Sequence, residues 1–300
     1  MKILICYFSG TGNTKRVADE YVSCLKGLGE SVELYNIELG GDISPEAYDM
    51  LGIAYPIWAF NAPGIVLDFV RRLDKVETPI PAFILKTSGE ALALNNASSA
   101  KLKSILKKKG FTLTNEYHYL MPYNIIFRHT DGMANRMWTA VKQAVPADCR
   151  AIVERRKEII KSFPFGRPIT AVLRVQQWGG RFNGKRYKVT DECVHCNRCV
   201  SACPVNNIVD DNGKIKFGKK CLMCMRCAFE CPKDAIRIGW FDGWRVNGAY
   251  HFDRPYEGGE NAVGVDEKHS DYCRKSYEKY FAACEEKAER LAQYEAQKEA

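Results

Sequence analysis

A cysteine pattern that occurs twice constrains this chain more than any other feature. Cys193-x2-Cys196-x2-Cys199-x3-Cys203-Pro204 returns as Cys221-x2-Cys224-x2-Cys227-x3-Cys231-Pro232, each position at an offset of 28. Ile208 and Ile236 keep the same offset. Agreement at so many positions means two copies of one supersecondary unit. Clustered cysteines in a reducing compartment point to metal or catalysis before disulfides. A tetrahedral zinc site uses paired CxxC motifs and leaves the third cysteine and the Cys-Pro without a role. A [4Fe–4S] cubane needs four thiolates converging on one small body, three from a tight loop and a fourth from beyond it. Two such clusters are expected.

On these residues, 187–238 resembles the bacterial two-cluster ferredoxins, with no ligand missing. In that family the fourth cysteine of each run serves the other cluster. The resemblance therefore implies one cluster on Cys193, Cys196, Cys199 and Cys231, and another on Cys221, Cys224, Cys227 and Cys203.

The first 162 residues alternate between strand and helix patterns. β-rich runs at Ile3–Phe8, Ser31–Asn36, Met50–Tyr55, Ala82–Thr87 and Thr114–Leu120 are separated by helical stretches at Thr14–Leu28, Ile65–Leu73 and Ser98–Lys109. A further helix is expected from Pro146 to about Ser162, since Pro suits a first helical turn. Alternation of this kind gives a parallel sheet with helices on both faces. The first strand ends in Ser9-Gly10-Thr11-Gly12-Asn13-Thr14, and a helix starts at once. Two glycines allow close backbone approach. The hydroxyl and amide side chains and the helix N-terminus all favour a phosphate. The loop has no lysine, which argues against a nucleotide P-loop.

These residues resemble the flavodoxins, in which neutral donors hold the FMN phosphate. The resemblance implies an α/β doubly wound five-stranded sheet of order 2-1-3-4-5, with the ligand at the strand C-termini. It also implies a first ring-side loop at Pro56-Ile57-Trp58-Ala59-Phe60-Asn61, with Trp58 as the stacking residue, and a second at Thr87-Ser88-Gly89-Glu90. The second loop lacks the aromatic often found there, and Tyr123 after the last strand is the candidate to supply it. The domains expected are 1–162 (flavodoxin-like), 163–186 (a Pro/Gly-rich linker), 187–238 (a small α+β two-cluster ferredoxin module) and 239–300. The last comprises an aromatic, glycine-rich stretch and a charged helix from Glu267 with a frayed end. The combination resembles the flavodoxin–ferredoxin fusion proteins of anaerobes.

Composition narrows the function classes. With 46% hydrophobic residues the chain can bury a core, and its apolar runs are strand-length, short of the ~20 residues needed to span a bilayer. Met1–Phe8 reads as a buried strand running into a glycine turn and not as a signal peptide, so a cytoplasmic protein without membrane insertion is expected. The net charge of +8 is concentrated in residues 166–245, which carry 15 basic and 7 acidic side chains. Two clusters at −2 each bring the total to about +4, and no nucleic-acid motif accompanies the charge.

The leading expectation is an electron-transfer protein relaying electrons between FMN and two [4Fe–4S] clusters and on to redox protein partners. The alternative is an FMN-dependent reductase of a quinone, nitro compound or similar acceptor, wired by the clusters. A basic face of Lys185, Arg186, Lys188, Lys214, Lys216, Lys219 and Lys220 suits an acidic partner. Trp178, Trp240 and Trp244 read as domain packing, and Cys6 as a small core residue.

Overall fold

The computed structural model describes residues 1–162, 164–255 and 274–299. The expected strands pair in parallel as a five-stranded sheet. They are β1 (Lys2–Tyr7), β2 (Ser31–Asn36), β3 (Met50–Pro56), β4 (Ile80–Ser88) and β5 (Phe111–Leu120), in the order β2-β1-β3-β4-β5. The alternation of side chains along β1 decides which face each residue serves. Ile3, Ile5 and Tyr7 pack with α1 (Asn13–Gly27) and α4 (Asp131–Val153). Leu4, Cys6 and Phe8 pack with α2 (Gly64–Arg72) and α3 (Ala100–Lys108).

Three expectations need correction. The helix assigned from Pro146 to Ser162 is α4, which begins at Asp131 and carries Pro146 inside it. Its start is marked by Thr130, whose hydroxyl accepts the Met133 N–H at 3.1 Å. Beyond α4 the chain runs beside β5, where Glu116 N–H donates to Glu158 O at 2.8 Å and Glu158 N–H donates to Thr114 O at 3.0 Å. Second, 163–186 is no irregular linker: it forms α5 (Gly166–Leu173) and α6 (Val175–Gly184). Third, the charged C-terminal helix, α9 (Arg274–Glu299), belongs to the core. Tyr277, Phe281 and Cys284 are buried on α4's side of the sheet. Its expected start at Glu267, part of the glycine-rich stretch, and Cys273 lie outside the described residues.

The cysteine-rich segment folds around β6 (Lys188–Val189) paired with β9 (Ile236–Arg237), and the hairpin β7 (Ile208–Asp211)–β8 (Lys214–Phe217). Each motif ends in a one-turn helix, α7 (Arg198–Ser201) or α8 (Arg226–Phe229). The following segment straps back onto the first domain. Ile126 N–H donates to Trp244 O at 2.8 Å, and the Arg128 guanidinium donates to the carbonyls of Asn247, Gly248 and Ala249. Among the described residues, no helix is long and apolar enough to cross a membrane.

Candidate cluster hollows and the adjoining loop

The two motifs fold into the same local shape. In each loop the second and fourth residues after the first cysteine's position are left-handed: His195 and Asn197 have φ of 51° and 56°, Met223 and Met225 of 53° and 64°. Asn206 and Asp234, both at 48°, repeat this beyond each Cys-Pro. Such backbone is costly for non-glycine residues, and here it turns amides inward. His195 N–H points to Cys193 Sγ and Met223 N–H to Cys221 Sγ, both at 3.4 Å. Asn207 N–H reaches Cys203 Sγ at 3.2 Å, and Ala235 N–H reaches Cys231 Sγ at 3.3 Å. Amides aimed at sulfur favour thiolate and tune a bound cluster.

The folded chain brings the fourth cysteine of each motif to the other motif's loop. Cys193, Cys196, Cys199 and Cys231 line one hollow, with Val189, Ile215 and Ile236. Cys203, Cys221, Cys224 and Cys227 line a second, with Tyr187, Ile208 and Phe217. Burial pushes the Cys224 thiol up to about 12, so a thiolate there requires a cationic core to offset desolvation. Among the described residues, no three His, Cys, Asp or Glu side chains stand close enough to hold a single ion. Four soft sulfur donors around a hollow lined by apolar side chains fit a [4Fe–4S] cluster.

The β1–α1 loop abuts the second hollow. A Cβ on Gly10 would come within 2.6 Å of the Cys224 carbonyl oxygen, so only glycine permits this approach. Arg226, which sequence reasoning did not single out, fastens the contact. Its five N–H donors make five bonds: to Gly10 O (2.8 Å), Ser9 O (2.6 Å), Ala202 O (2.9 Å) and both oxygens of Glu38 (2.8 and 2.5 Å). A lone basic residue between two cysteines gave no signal of this, because three of its acceptors are backbone carbonyls.

Within the loop, Ser9 Oγ accepts the Gly12 N–H at 3.1 Å, and Thr11 Oγ1 accepts from Asn124 Nδ2 at 3.2 Å. Both hydroxyls keep an O–H proton to donate. Asn13 Nδ2 donates to Pro122 O at 2.7 Å, and Thr14 Oγ1 lies 2.7 Å from Thr87 Oγ1. No side chain caps α1, and Gly12 at its start is exposed with φ of 96°. An uncapped helix N-terminus beside two available hydroxyls fits a phosphate.

The ring-side loops are tied down by the protein itself. Ile57 N–H donates to Thr87 O at 2.8 Å, joining the two loops. Trp58 and Asn61 exchange backbone bonds of 2.9 Å around Ala59 and Phe60, and Trp58 meets Phe8 edge-on. Pro56 ends β3. Ser88 Oγ donates to Glu90 O at 2.6 Å. Tyr123 lies directly on Gly89, stacks on His129 at 5.3 Å and bonds through its hydroxyl to Glu90. Tyr277 of α9 donates to Gly89 O at 2.7 Å. Tyr123 thus stands at the second loop, but it covers that loop and presents little open face.

Comparison with known proteins matches the two halves separately. Residues 192–236 match the model of the 4Fe-4S dicluster domain. Among solved structures, flavodoxin 1 of Bacillus cereus aligns at 20% identity over 41% of this chain and 88% of its own, with a TM-score of 0.34. Flavodoxin 2 of Bacillus cereus aligns at 19% over 52% and 99%, with a TM-score of 0.36. A flavodoxin from the domain Archaea aligns at 9% over 51% and 99%, with a TM-score of 0.32. None of the curated proteins compared matches the chain. The chain therefore joins a domain of flavodoxin-like topology to a 4Fe-4S dicluster domain, an architecture for electron transfer.

Proposed function

We propose that this protein relays electrons through two [4Fe–4S] clusters, one in each four-cysteine hollow, and that the Ser9–Thr14 loop holds the phosphate of an FMN. The observation that carries the reading is the contact of Cys224 with Gly10, which sets the second hollow against the loop. The first hollow opens at the surface beside exposed Cys196. The order along the molecule is then loop, second hollow, first hollow, solvent. FMN supplies conversion between two-electron and one-electron transfer. The protein's own part is to hold the sites together through Arg226, to aim amides at the sulfurs and to exclude water from Cys224 and Cys227. Redox partners meet the first hollow's side.

The test compares iron, sulfide and flavin content of the anaerobically prepared protein and a Thr11→Asp variant. About eight iron and eight sulfides with one FMN are expected in the former. In the variant the clusters stay and the flavin is lost, because a carboxylate facing a phosphate costs about 4 kcal/mol at an effective dielectric near 20. That is roughly a thousandfold in affinity. Zinc without iron overturns the cluster assignment; flavin retained by the variant places the phosphate elsewhere.

A further inference from the structure

Helices α5 and α6 are inside out. The side turned to the protein is polar or small: Thr170, Gly180, Asn183 and Gly184 are buried. The side turned to solvent is apolar. On α5 and its N-cap, Phe165, Ile169 and Val172 are 70%, 41% and 72% exposed; on α6, Val175, Trp178 and Phe182 are 67%, 66% and 68% exposed. Each run follows helical spacing, so each helix presents an apolar face outward. This also corrects the expectation for Trp178 as domain packing, and Trp240 and Trp244 are likewise 65% and 50% exposed.

The orientation is held by specific bonds. Asn61 Nδ2 donates to Thr170 O at 2.7 Å, and Arg174 returns a bond to Asn61 Oδ1 at 3.0 Å. Gln177 Nε2 donates to the carbonyls of Trp58 and Ala62. Asn183 donates to Ile238 O at 2.8 Å and accepts Trp240 N–H at 2.9 Å. A Cβ on Gly184 would meet Cys221 Cβ at 2.1 Å, so this end of α6 lies against the second cluster loop. Turning the helices to bury Phe and Trp would break all of these contacts. The exposed face is built, not left over.

The charge along these helices and their flanks has one sign. From residue 159 to residue 190 the chain carries Lys161, Arg167, Arg174, Arg181, Lys185, Arg186 and Lys188 and no acidic residue. The Arg186 guanidinium lies 4.2 Å over the Trp240 ring, extending the basic and aromatic surface.

We propose that α5 and α6 dock this protein on an anionic lipid bilayer, lying in the interface with Phe165, Val172, Trp178 and Phe182 among the acyl chains and the cations among the headgroups. Aromatic and branched apolar residues on one face with only Lys and Arg beside them are the composition of interfacial helices. A second copy of the chain would bring the same cations face to face, which disfavours self-association. Docking here sets the second cluster loop close to the membrane surface, a location that the electron-relay reading does not require.

The experiment is co-sedimentation of the anaerobically prepared holoprotein with vesicles of phosphatidylglycerol and, separately, of phosphatidylcholine. Binding to phosphatidylglycerol is expected, weakening as salt rises, with little binding to phosphatidylcholine. Trp178→Ser with Phe182→Ser should weaken it by more than about tenfold. Arg167→Gln with Arg181→Gln should weaken it by roughly fivefold per cation. Both variants should keep cluster absorbance and melting temperature, because the altered side chains are exposed. Failure to bind phosphatidylglycerol, or binding that the aromatic variant retains, overturns the proposal. Light scattering that shows a dimer abolished by the aromatic variant also overturns it and assigns the face to a second copy.

Discussion

The two cysteine loops share one local fold and sit in opposite surroundings. In the first, the residues between the cysteines are Val194, His195, Asn197 and Arg198, all exposed. In the second, the corresponding Leu222, Met223, Met225 and Arg226 face protein: Met225 is 2% exposed, Leu222 packs on the sheet core and Met223 lies at Gly180. Arginine occupies the same place in both, yet Arg198 points to solvent while Arg226 makes four bonds into the other domain and a fifth to Ala202 O in its own. The difference teaches that ligand geometry was kept while one copy became an interface and the other stayed exposed. Solvent access is one of the levers on cluster potential, so an asymmetric pair follows from the packing alone.

The most severe test of this comparison exchanges a shared ligand. Cys203 belongs by sequence to the exposed motif and by structure to the enclosed hollow. Cys203→Ser should therefore remove or convert the enclosed cluster and leave the exposed one, with iron falling by up to about half. Cys231→Ser should do the reverse. Iron analysis with low-temperature EPR reads the result. If each substitution damages the cluster of its own motif, the crossing is wrong.

Next in size is the arginine pair. Arg226→Met leaves Glu38 and the carbonyls of Ser9 and Gly10 without their donor in a half-buried site, a loss of about 3 kcal/mol. Limited proteolysis should then separate the two domains at protease levels the native protein resists. Arg198→Met should stay within about 0.5 kcal/mol of the native protein. Equal effects from the two would erase the distinction between exposed loop and interface.

A smaller effect separates the strapped region from the exposed loop by pH. His129 is buried; its Nδ1 accepts the Tyr123 N–H at 3.2 Å, and its Nε2 lies 3.2 Å from the Tyr277 hydroxyl. Burial lowers its pKa to about 3. The folded value is below the unfolded one, so its contribution is complete above about pH 6.5 and is lost as pH falls toward 3. Between pH 6.5 and 5 that amounts to about 2 kcal/mol. His118, also lowered to about 3 by burial and then Lys86, adds in the same direction, less so because part of its edge is accessible. Asp148, pushed up to about 6 by burial, opposes them between roughly pH 6 and 4. Urea unfolding at pH 7 and pH 5 should show the loss, and His129→Gln should reduce it. A variant with an unaltered pH slope would refute the role given to His129.

What could be read from the sequence follows the range of the interactions. The cluster loops were legible because three ligands lie within seven residues and the 28-residue offset marks the second copy. The sheet was legible because its strands are short and its inner strands, β1, β3 and β4, are buried on both faces. Arg226 was not, since its acceptors at Ser9, Gly10, Glu38 and Ala202 are scattered along the chain. Helices α5 and α6 were hidden by their own glycines: Gly180 and Gly184 look like breakers, but they let the helix approach Met223 and Cys221. Pro168 falls in the first turn of α5, where it is tolerated. Pro146 misled in the opposite sense, standing inside α4 where the true start was the Thr130 cap. Nothing in the sequence announced that Tyr123 would lie on Gly89, because the loop carrying it is placed by the strap at Arg245–Ala249.

The smallest expected effect concerns the exposed loop as the place where a soluble partner meets the molecule. Ile215 lines the first hollow, and Lys214 and Lys216 flank it on β8. Lys216 is already paired with Asp211, which leaves Lys214 and Lys219 the better candidates for an acidic partner. Lys219 also lies beside Lys185, whose ammonium is lowered by desolvation and by that neighbour, an arrangement that an incoming carboxylate would relieve. Exposed charges act on encounter and are screened over about 8–10 Å near physiological salt. Electron transfer to an acidic redox partner should slow as salt rises. Lys214→Glu with Lys219→Glu should slow it by roughly tenfold at low salt, with iron content and spectra unchanged. The same exchange at Lys107 and Lys108 on α3, in the other domain, should leave the rate alone. A rate flat with salt, or slowed equally by the α3 exchange, would remove the exposed loop from partner recognition and leave the lysines only the task of balancing cluster charge.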